Sequence, residues 1–483
     1  MRETRIRSLT LIGLGVTSLA LSGLALAVGC GSSASTHGAG TGSGNDAGLS
    51  FVDDGGISGL WEDGSFIATA ADGGFCSGSG PIVVVGDSEG GTTTSQCTGQ
   101  IAEEIFKSAL CTCQDVNLQG YLRTRGFSSA SGAPDAGPNG APVGINGNYV
   151  IPALAVNAGY TDVGGSFAVA GSDSLAFAGD FTVNGDFHAA SSLTLAGYTP
   201  IAGNAWIGGD VTNAGYATVG GNLYITGNDV LPLTVSGTRT KQTVTVAPPC
   251  DCNSLLDIGA LVDAAQITND NASIALSPNA LHDVIGVADV TLPCGKYFLN
   301  DISGIGQIVI HVGGRVALFI GGSITAAADL EVDLAPSAEI DVFIKGTLVL
   351  AGKGSFGSTS RPAATRIYVG SSADVVLVGA SGFVGNLYAP YARVTSVGYA
   401  KVWGSIFAND FQVPGYADIS YDRAITQAGQ GCAAPPPTSC SQCGGCTGGL
   451  ACVGGACGAC TGDSDCCGQD VCQNGVCQGV VIP

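Results

Sequence analysis

Cysteines are the residues of this 483-residue chain best equipped for chemistry, and their spacing sorts the nineteen into three groups. Cys30 stands alone near the N-terminus. Eight are spread through the body, at Cys76, Cys97, Cys111, Cys113, Cys250, Cys252, Cys294 and Cys432. Ten crowd into the tail, at Cys440, Cys443, Cys446, Cys452, Cys457, Cys460, Cys466, Cys467, Cys472 and Cys477. Without Cys30 the number is even, as a complete set of disulfides requires, although spacing alone leaves the pairing open. Zinc is the competing chemistry: Cys111 with Cys113 and Cys250 with Cys252 could offer four thiolates, and Cys440, Cys443 and Cys446 have ligand-like spacing. Disulfides are the expectation, because thiols outside the cytoplasm oxidise, and no metal or other cofactor is expected.

Other reactive constellations are thin. Val83-Val84-Val85-Gly86-Asp87-Ser88 resembles the strand-to-nucleophile element of GDS-type esterases. Such enzymes imply a later Asp-x-x-His pair, and none of His37, His188, His282 and His311 has an aspartate three positions before it. Asp180, Asp186 and Asp210 fall on neighbouring repeats, where a lyase-like solenoid would hold calcium, but no Lys or Arg lies between Tyr160 and Gly227 to serve as base. We therefore read these aspartates as turn residues and expect no catalytic residue.

The elements that must position any site are repeats. Ala158-Gly159-Tyr160, Ala178-Gly179-Asp180, Ala196-Gly197-Tyr198 and Ala214-Gly215-Tyr216 start 20, 18 and 18 residues apart, and related motifs return around Gly398-Tyr399 and Phe383-Val384-Gly385-Asn386-Leu387. This period is too short for helical-hairpin repeats and suits one turn of a parallel β-helix. Alternation, as in Val219, Gly221, Leu223 and Ile225, sends one parity into a narrow core. The expected fold is mainly β, a parallel β-helix of right hand, with short helices near Ile101–Leu110 and, capped by Asn253, over Asn253–Ile267 as caps or braces. On the parity opposite the core lie Trp206, Tyr224, Tyr388 and Phe407, and equivalent positions in a solenoid stack into ladders. These four form a candidate surface aromatic ladder for a glycan or protein partner. The repeat tyrosines Tyr160, Tyr198, Tyr216, Tyr399 and Tyr416 share another coil position.

Charge and the N-terminus bound the setting. With 17 basic against 38 acidic residues the net charge is −21, which excludes nucleic acid as a partner. Arg2, Arg5 and Arg7, the apolar stretch Leu9–Val28 and Leu26-Ala27-Val28-Gly29-Cys30 resemble a bacterial lipoprotein signal, which implies lipidation at Cys30 and a lipid-anchored place in the cell envelope, at the outer membrane or cell surface. The chain then divides into a signal peptide (1–29), a flexible Gly/Ser-rich tether (30–72), a disulfide-braced N-terminal cap (73–149), the β-helix (150–425) with a helical interruption near 248–290, a Pro-rich linker (426–439) and a cysteine-rich tail (440–478). In the tail Cys440, Cys446, Cys452 and Cys457 recur twenty residues later as Cys460, Cys466, Cys472 and Cys477. The Cys460 to Cys477 spacing, with adjacent Cys466-Cys467 after Asp463-Ser464-Asp465, resembles Dickkopf-like and knottin-like modules. Leu292-Pro-Cys-Gly-Lys-Tyr-Phe, Glu339-Ile-Asp-Val-Phe-Ile-Lys-Gly, Arg366-Ile-Tyr-Val-Gly, Gly385-Asn-Leu-Tyr-Ala-Pro390 and Ile419-Ser-Tyr-Asp422 resemble an uncharacterised β-solenoid domain of bacterial surface lipoproteins, with relatives in pilus-associated proteins, over residues 80 to 425. Ser420 stands where that family usually has histidine. The resemblance implies a fold and a location, with no catalytic residues. The function expected is structural or adhesive, with a glycan-binding or glycan-cleaving solenoid and a self-assembling scaffold as alternatives.

Overall fold

The structure is a computed structural model; it describes residues 98–432 except 132–139, 152–159, 232, 254, 328, 352–353 and 379–381, together with Cys76, 83–85, 94–96 and four short strands in the tail. It is a parallel β-solenoid of about 12 turns, as the repeat period requires. Three-residue strands with two buried residues flanking an outward one, such as Phe187–Ala189, Ala205–Ile207 and Leu223–Ile225, turn at short corners. The inward residues Phe167, Phe181, Phe187, Ile207, Val219 and Leu223 are fully buried, and each such side chain contributes about 1.5–3 kcal/mol.

Corners are held by side chains that reach across one coil. Asp186 Oδ1 accepts from Asn204 N at 2.8 Å, Asn204 Oδ1 from Asn222 N at 2.9 Å, and Asn222 Oδ1 from Thr238 N at 2.9 Å. A second ladder has Asp210 N donating to Ser192 Oγ and Asn228 N to Asp210 Oδ1. The recurring corner glycine makes room for them: a Cβ at Gly221 would come within 2.5 Å of Asn204 Oδ1.

The coils are not stacked in chain order. Tyr121–Phe127 pairs in parallel with Tyr160–Val163 on one side and with Tyr416–Asp422 on the other. Leu110–Thr112 likewise lies between Val143–Ile145 and the strand Ile406–Val413. The chain enters the stack in its middle, winds outward to Arg239–Lys241, and crosses back through residues 242–286. It re-enters at Val287 and winds inward until its last coil meets its first. Residues 110–127 are therefore coils of the solenoid and not part of a cap, which corrects the expected boundary at 150: the stack is continued by the pairing of strands some 300 residues apart, which no repeat period reveals.

The returning segment is a strap. Gln242 N bonds Ile225 O, Asn146 Nδ2 and Oδ1 hold the carbonyl and amide of Cys250, and Leu256 N donates to Tyr388 Oη at 3.2 Å. Cys111–Cys250 and Cys113–Cys252 bind it to the stack, and Cys76–Cys294 ties an earlier segment to the first returning coil. The four thiols considered for zinc are thus paired as disulfides, and among the described residues no group of His, Cys, Asp or Glu is arranged to hold a metal. Helix α1, Thr98–Ile105, ends earlier than expected. Helix α2, Ile258–Ile267, packs on the strands 295–299, 315–320 and 339–344. Its N-cap is Asp257, whose carboxylate accepts from Ala260 N at 3.0 Å, rather than Asn253, because 253–257 are still crossing the stack.

On the outer side of the returning strands a charged row is buried. Arg366 lies buried between Asp341, whose carboxylate is 2.6 and 2.9 Å away, and Glu339 at 2.8 Å. Burial pushes the Glu339 carboxyl up, but the Arg366 and Arg315 charges outweigh it and hold it below the usual range. Asn386 and Ser405 continue this polar row by a 2.9 Å hydrogen bond.

Candidate functional site

Register places Trp206, Tyr224, Tyr388 and Phe407 in one outward row that reads Phe298, Phe319, Phe343, Tyr368, Tyr388, Phe407, Cys111, Gly144, Ala168, His188, Trp206, Tyr224. The row is split by the strap. His188 stacks on Trp206 at 4.4 Å and Trp206 on Tyr224 at 5.3 Å, all half-buried. Tyr388 and Phe407 are 2% and 4% exposed, which corrects their expected place on the surface: the strap covers them. At Cys111, Gly144 and Ala168 the side chains shrink, and a Cβ on Gly144 would sit 3.1 Å from Cys250 Sγ, so small residues lie where the strap passes closest.

The exposed aromatic row is on another face. Tyr399, Tyr416, Tyr121 and Tyr160 stack at 4.3, 4.3 and 4.4 Å with rings within 13° of parallel, and Tyr198 stacks on Tyr216 at 5.6 Å. Register puts Asp180 between Tyr160 and Tyr198. Tyr198, Tyr216 and Tyr399 are 51%, 61% and 42% exposed. Two residues further along each strand runs a charged row, in which Lys401, Asp418, Arg123 and Asp162 are successive neighbours.

Electrostatics tie the two rows together. Arg123 is paired with Asp418 and lies 5.9 and 6.0 Å from the Tyr121 and Tyr416 ring centres, while Lys401 Nζ is 5.6 Å from Tyr399. Each cation thus lies within reach of a ring quadrupole. Hydrogen bonding to Asp418 raises the Arg123 pKa further. Burial, then the Asp162 charge, pushes Tyr160 up to about 12, and burial pushes Asp162 up against the opposing Arg125 and Arg123. A concavity of about 420 Å³ lies beside them, lined by Arg125, Tyr160, Asp162, Thr182 and Asn184 among others. Sequence reading missed Tyr121, Arg123 and Asp418. The signal for the first was there, since Gly120-Tyr121 repeats Gly215-Tyr216.

The remaining expectations separate. Asp186 and Asp210 belong to two different corner ladders and Asp180 to the tyrosine row, so the three are not brought together. Val83–Val85 pairs antiparallel with Thr94–Gln96, unlike the strand-turn-helix of a nucleophile element, and Ser88 lies outside the described residues. His282 bonds Asp301 at 2.7 Å, and His311 lies 3.3 and 3.4 Å from Asp289 and Asp333. Cys30, Cys97 and most tail cysteines lie outside the described residues, and of Cys432 only the backbone is described. In the tail, Cys452 stands opposite Cys457 and Cys472 opposite Cys477 in two antiparallel hairpins. No helix among the described residues is long and apolar enough to cross a membrane.

These features define a parallel β-solenoid bearing two aromatic rows, one covered in part and one open. Residues 238–428 match the family model described as a domain of unknown function, DUF7305. The match takes in the strap and the returning coils and leaves out nearly all the outgoing ones, so it is narrower than the 80 to 425 expected. Comparison with curated proteins and with solved structures gives no match.

Proposed function

We propose that this chain is a non-catalytic, adhesive or structural solenoid of the cell envelope, held there by a lipid on Cys30, and that its contact face is the open tyrosine row. The observation that carries the reading is that row: tyrosines of two sequence regions converge on adjacent coils, with Tyr198, Tyr216 and Tyr399 exposed and Tyr121, Tyr160 and Tyr416 half-buried, flanked by Lys401, Arg123, Asp418 and Asp162. Amphipathic rings beside fixed charges suit a glycan or a polar protein surface, and each ring contact contributes about 0.5–1.5 kcal/mol beyond area burial. Anchoring rests on the sequence around Cys30 and is tested by labelled palmitate, which should enter the wild type and not Cys30→Ala. For the contact face, residues 31–483 are assayed for retention on envelope polysaccharides and whole cells. The variant Tyr198→Ser with Tyr216→Ser and Tyr399→Ser should lose retention at least tenfold with unchanged circular dichroism. Retention equal to wild type in the folded triple variant would remove the tyrosine row from the reading.

A further inference from the structure

Asp180 replaces the fifth ring of the tyrosine row. Tyr160 has one ring face covered by Tyr121 and Tyr198 has one covered by Tyr216, and register sets the two residues two coils apart with the Asp180 coil between them, so the uncovered face of each is on the Asp180 side. Asp180 is exposed, and its carboxylate makes no hydrogen bond or ion pair among the described residues. Asp162, two residues along the neighbouring strand, is faced by Arg125 and Arg123, so the charge left open in the gap is that of Asp180. Elsewhere the row supplies its own cations, Lys401 at Tyr399 and Arg123 at Tyr121 and Tyr416. In this gap it supplies the Asp180 carboxylate.

The width of the gap selects what fits. Two coil rises are about 9.6 Å. A flat group sandwiched in contact with both rings needs about 7–8 Å between their planes, so a guanidinium or an aromatic ring would touch only one wall. A tetrahedral ammonium centred in the gap has its nitrogen about 4.8 Å from each ring plane, inside the ~6 Å reach of a cation–π contact. Its methyl carbons, one bond of about 1.5 Å from the nitrogen, then approach either ring to the ~3.5–4.0 Å of optimal contact. The carboxylate beneath neutralises the charge. We propose that Tyr160, Asp180 and Tyr198 form a binding site for a small quaternary ammonium of the choline type. The Asp180 carboxylate itself disfavours molecules that also carry a carboxylate, such as betaine. The site rests on the reading of this row as a contact face and gives that face a ligand class.

The test is a calorimetric titration of residues 31–483 with choline, beside 3,3-dimethylbutan-1-ol, its uncharged isostere, and betaine. Choline should bind saturably with one site, and both other probes at least tenfold more weakly. Asp180→Asn should weaken choline at least tenfold, Asp180→Tyr should abolish binding by filling the gap, and Tyr198→Phe should keep it, because a ring face and not a hydroxyl makes the contact. Trp206→Ala, on the other face, should leave it unchanged. Absence of saturable choline binding, an isostere that binds equally well, or unchanged affinity in folded Asp180→Asn would each overturn the site. A protein that retains envelope polysaccharide through its tyrosines yet ignores choline sinks this inference alone. A protein that binds choline in an Asp180-dependent way but adheres to nothing sinks the adhesive reading alone.

Discussion

The outgoing coils, 110–241, and the returning coils, 287–422, stack in one register, yet they treat their outer surface oppositely. In the outgoing half, strands such as Phe187–Ala189 and Leu223–Ile225 bury two residues and leave the middle one part-exposed. In the returning half, Gly295–Leu299, Arg315–Ile320 and Thr365–Val369 are buried at every position. The difference is what lies on that face: helix α2 of the strap covers the strands 295–299, 315–320 and 339–344, and Phe106 lies against Tyr368. One row shows both regimes: rings at Phe319, Phe343, Tyr368 and Tyr388 fill a covered layer, and rings at Trp206 and Tyr224 stack in partial contact with water. A solenoid can thus specialise one half as scaffold and the other as display within one continuous stack.

The largest test of this contrast is to release the strap. Cys111–Cys250 spans 139 residues, and a loop of that length contributes about 5 kcal/mol in the chain-entropy model. Cys113–Cys252 then closes only a small ring beside it, adding about 2 kcal/mol. Replacing Cys111 and Cys113 together by Ser should therefore lower stability by about 7 kcal/mol, but Cys113→Ser alone by about 2, as read from urea midpoints. Additive effects of the two single changes would break the shared-clamp account.

A second measurement compares two positions of one row. Tyr388→Ala opens a cavity under the strap and orphans Leu256 N, costing about 3–5 kcal/mol, whereas Trp206→Ala removes a part-exposed stack worth about 1 kcal/mol. Similar losses at the two positions would mean that the strap does not seal the returning half. On the open face, Asp180→Tyr should complete the tyrosine row and raise stability by about 0.5–1.5 kcal/mol, seen as a higher melting temperature.

The smallest effect lies where the end of the strap, at His282, meets Asp301 of the first returning coil. The hydrogen bond to Asp301, then the Asp301 and Asp283 charges, raise the His282 pKa. A raised folded value means that the contribution is complete below the unfolded value of about 6.5 and is lost as pH climbs through the folded one. The stability gap between wild type and His282→Gln should be open at pH 5.5 and closed at pH 8.5. A gap that does not change with pH would assign His282 a packing role.

The sequence made the coil legible and hid the order of the coils, for a physical reason. Alternation at Val219, Leu223 and Ile225 reports which side chains point inward, and every coil reports the same, so nothing in the period says that Tyr121 stacks on Tyr416 rather than only on Tyr160. The covered face was more readable than it was read. Arg315-Val-Ala-Leu-Phe-Ile320 is nearly continuous in apolar residues, the mark of a strand buried on both sides, and Tyr388 and Phe407 belong to that side of the contrast. The Gly120-Tyr121 step marked the first coil, and Asp180 stood out as the one non-tyrosine among the repeats of the outgoing half. What one sequence could not express is the gap it opens, because the gap exists only between two rings 38 residues apart.

Stacks of coils ordinarily lose order first where the chain stops, since a terminal coil can peel away without disturbing anything else. Here the outermost coils, around Thr234–Lys241 and Val287–Gly304, are both interior to the chain and joined to each other by residues 242–286. Neither can unwind without dragging a segment pinned at Cys250 and Cys252. The loose ends of the winding lie instead at the seam where Tyr121–Phe127 pairs with Tyr416–Asp422 through seven successive residues. The winding thus starts and finishes not at the two most exposed edges of its sheets but at a place where both sides are already zipped.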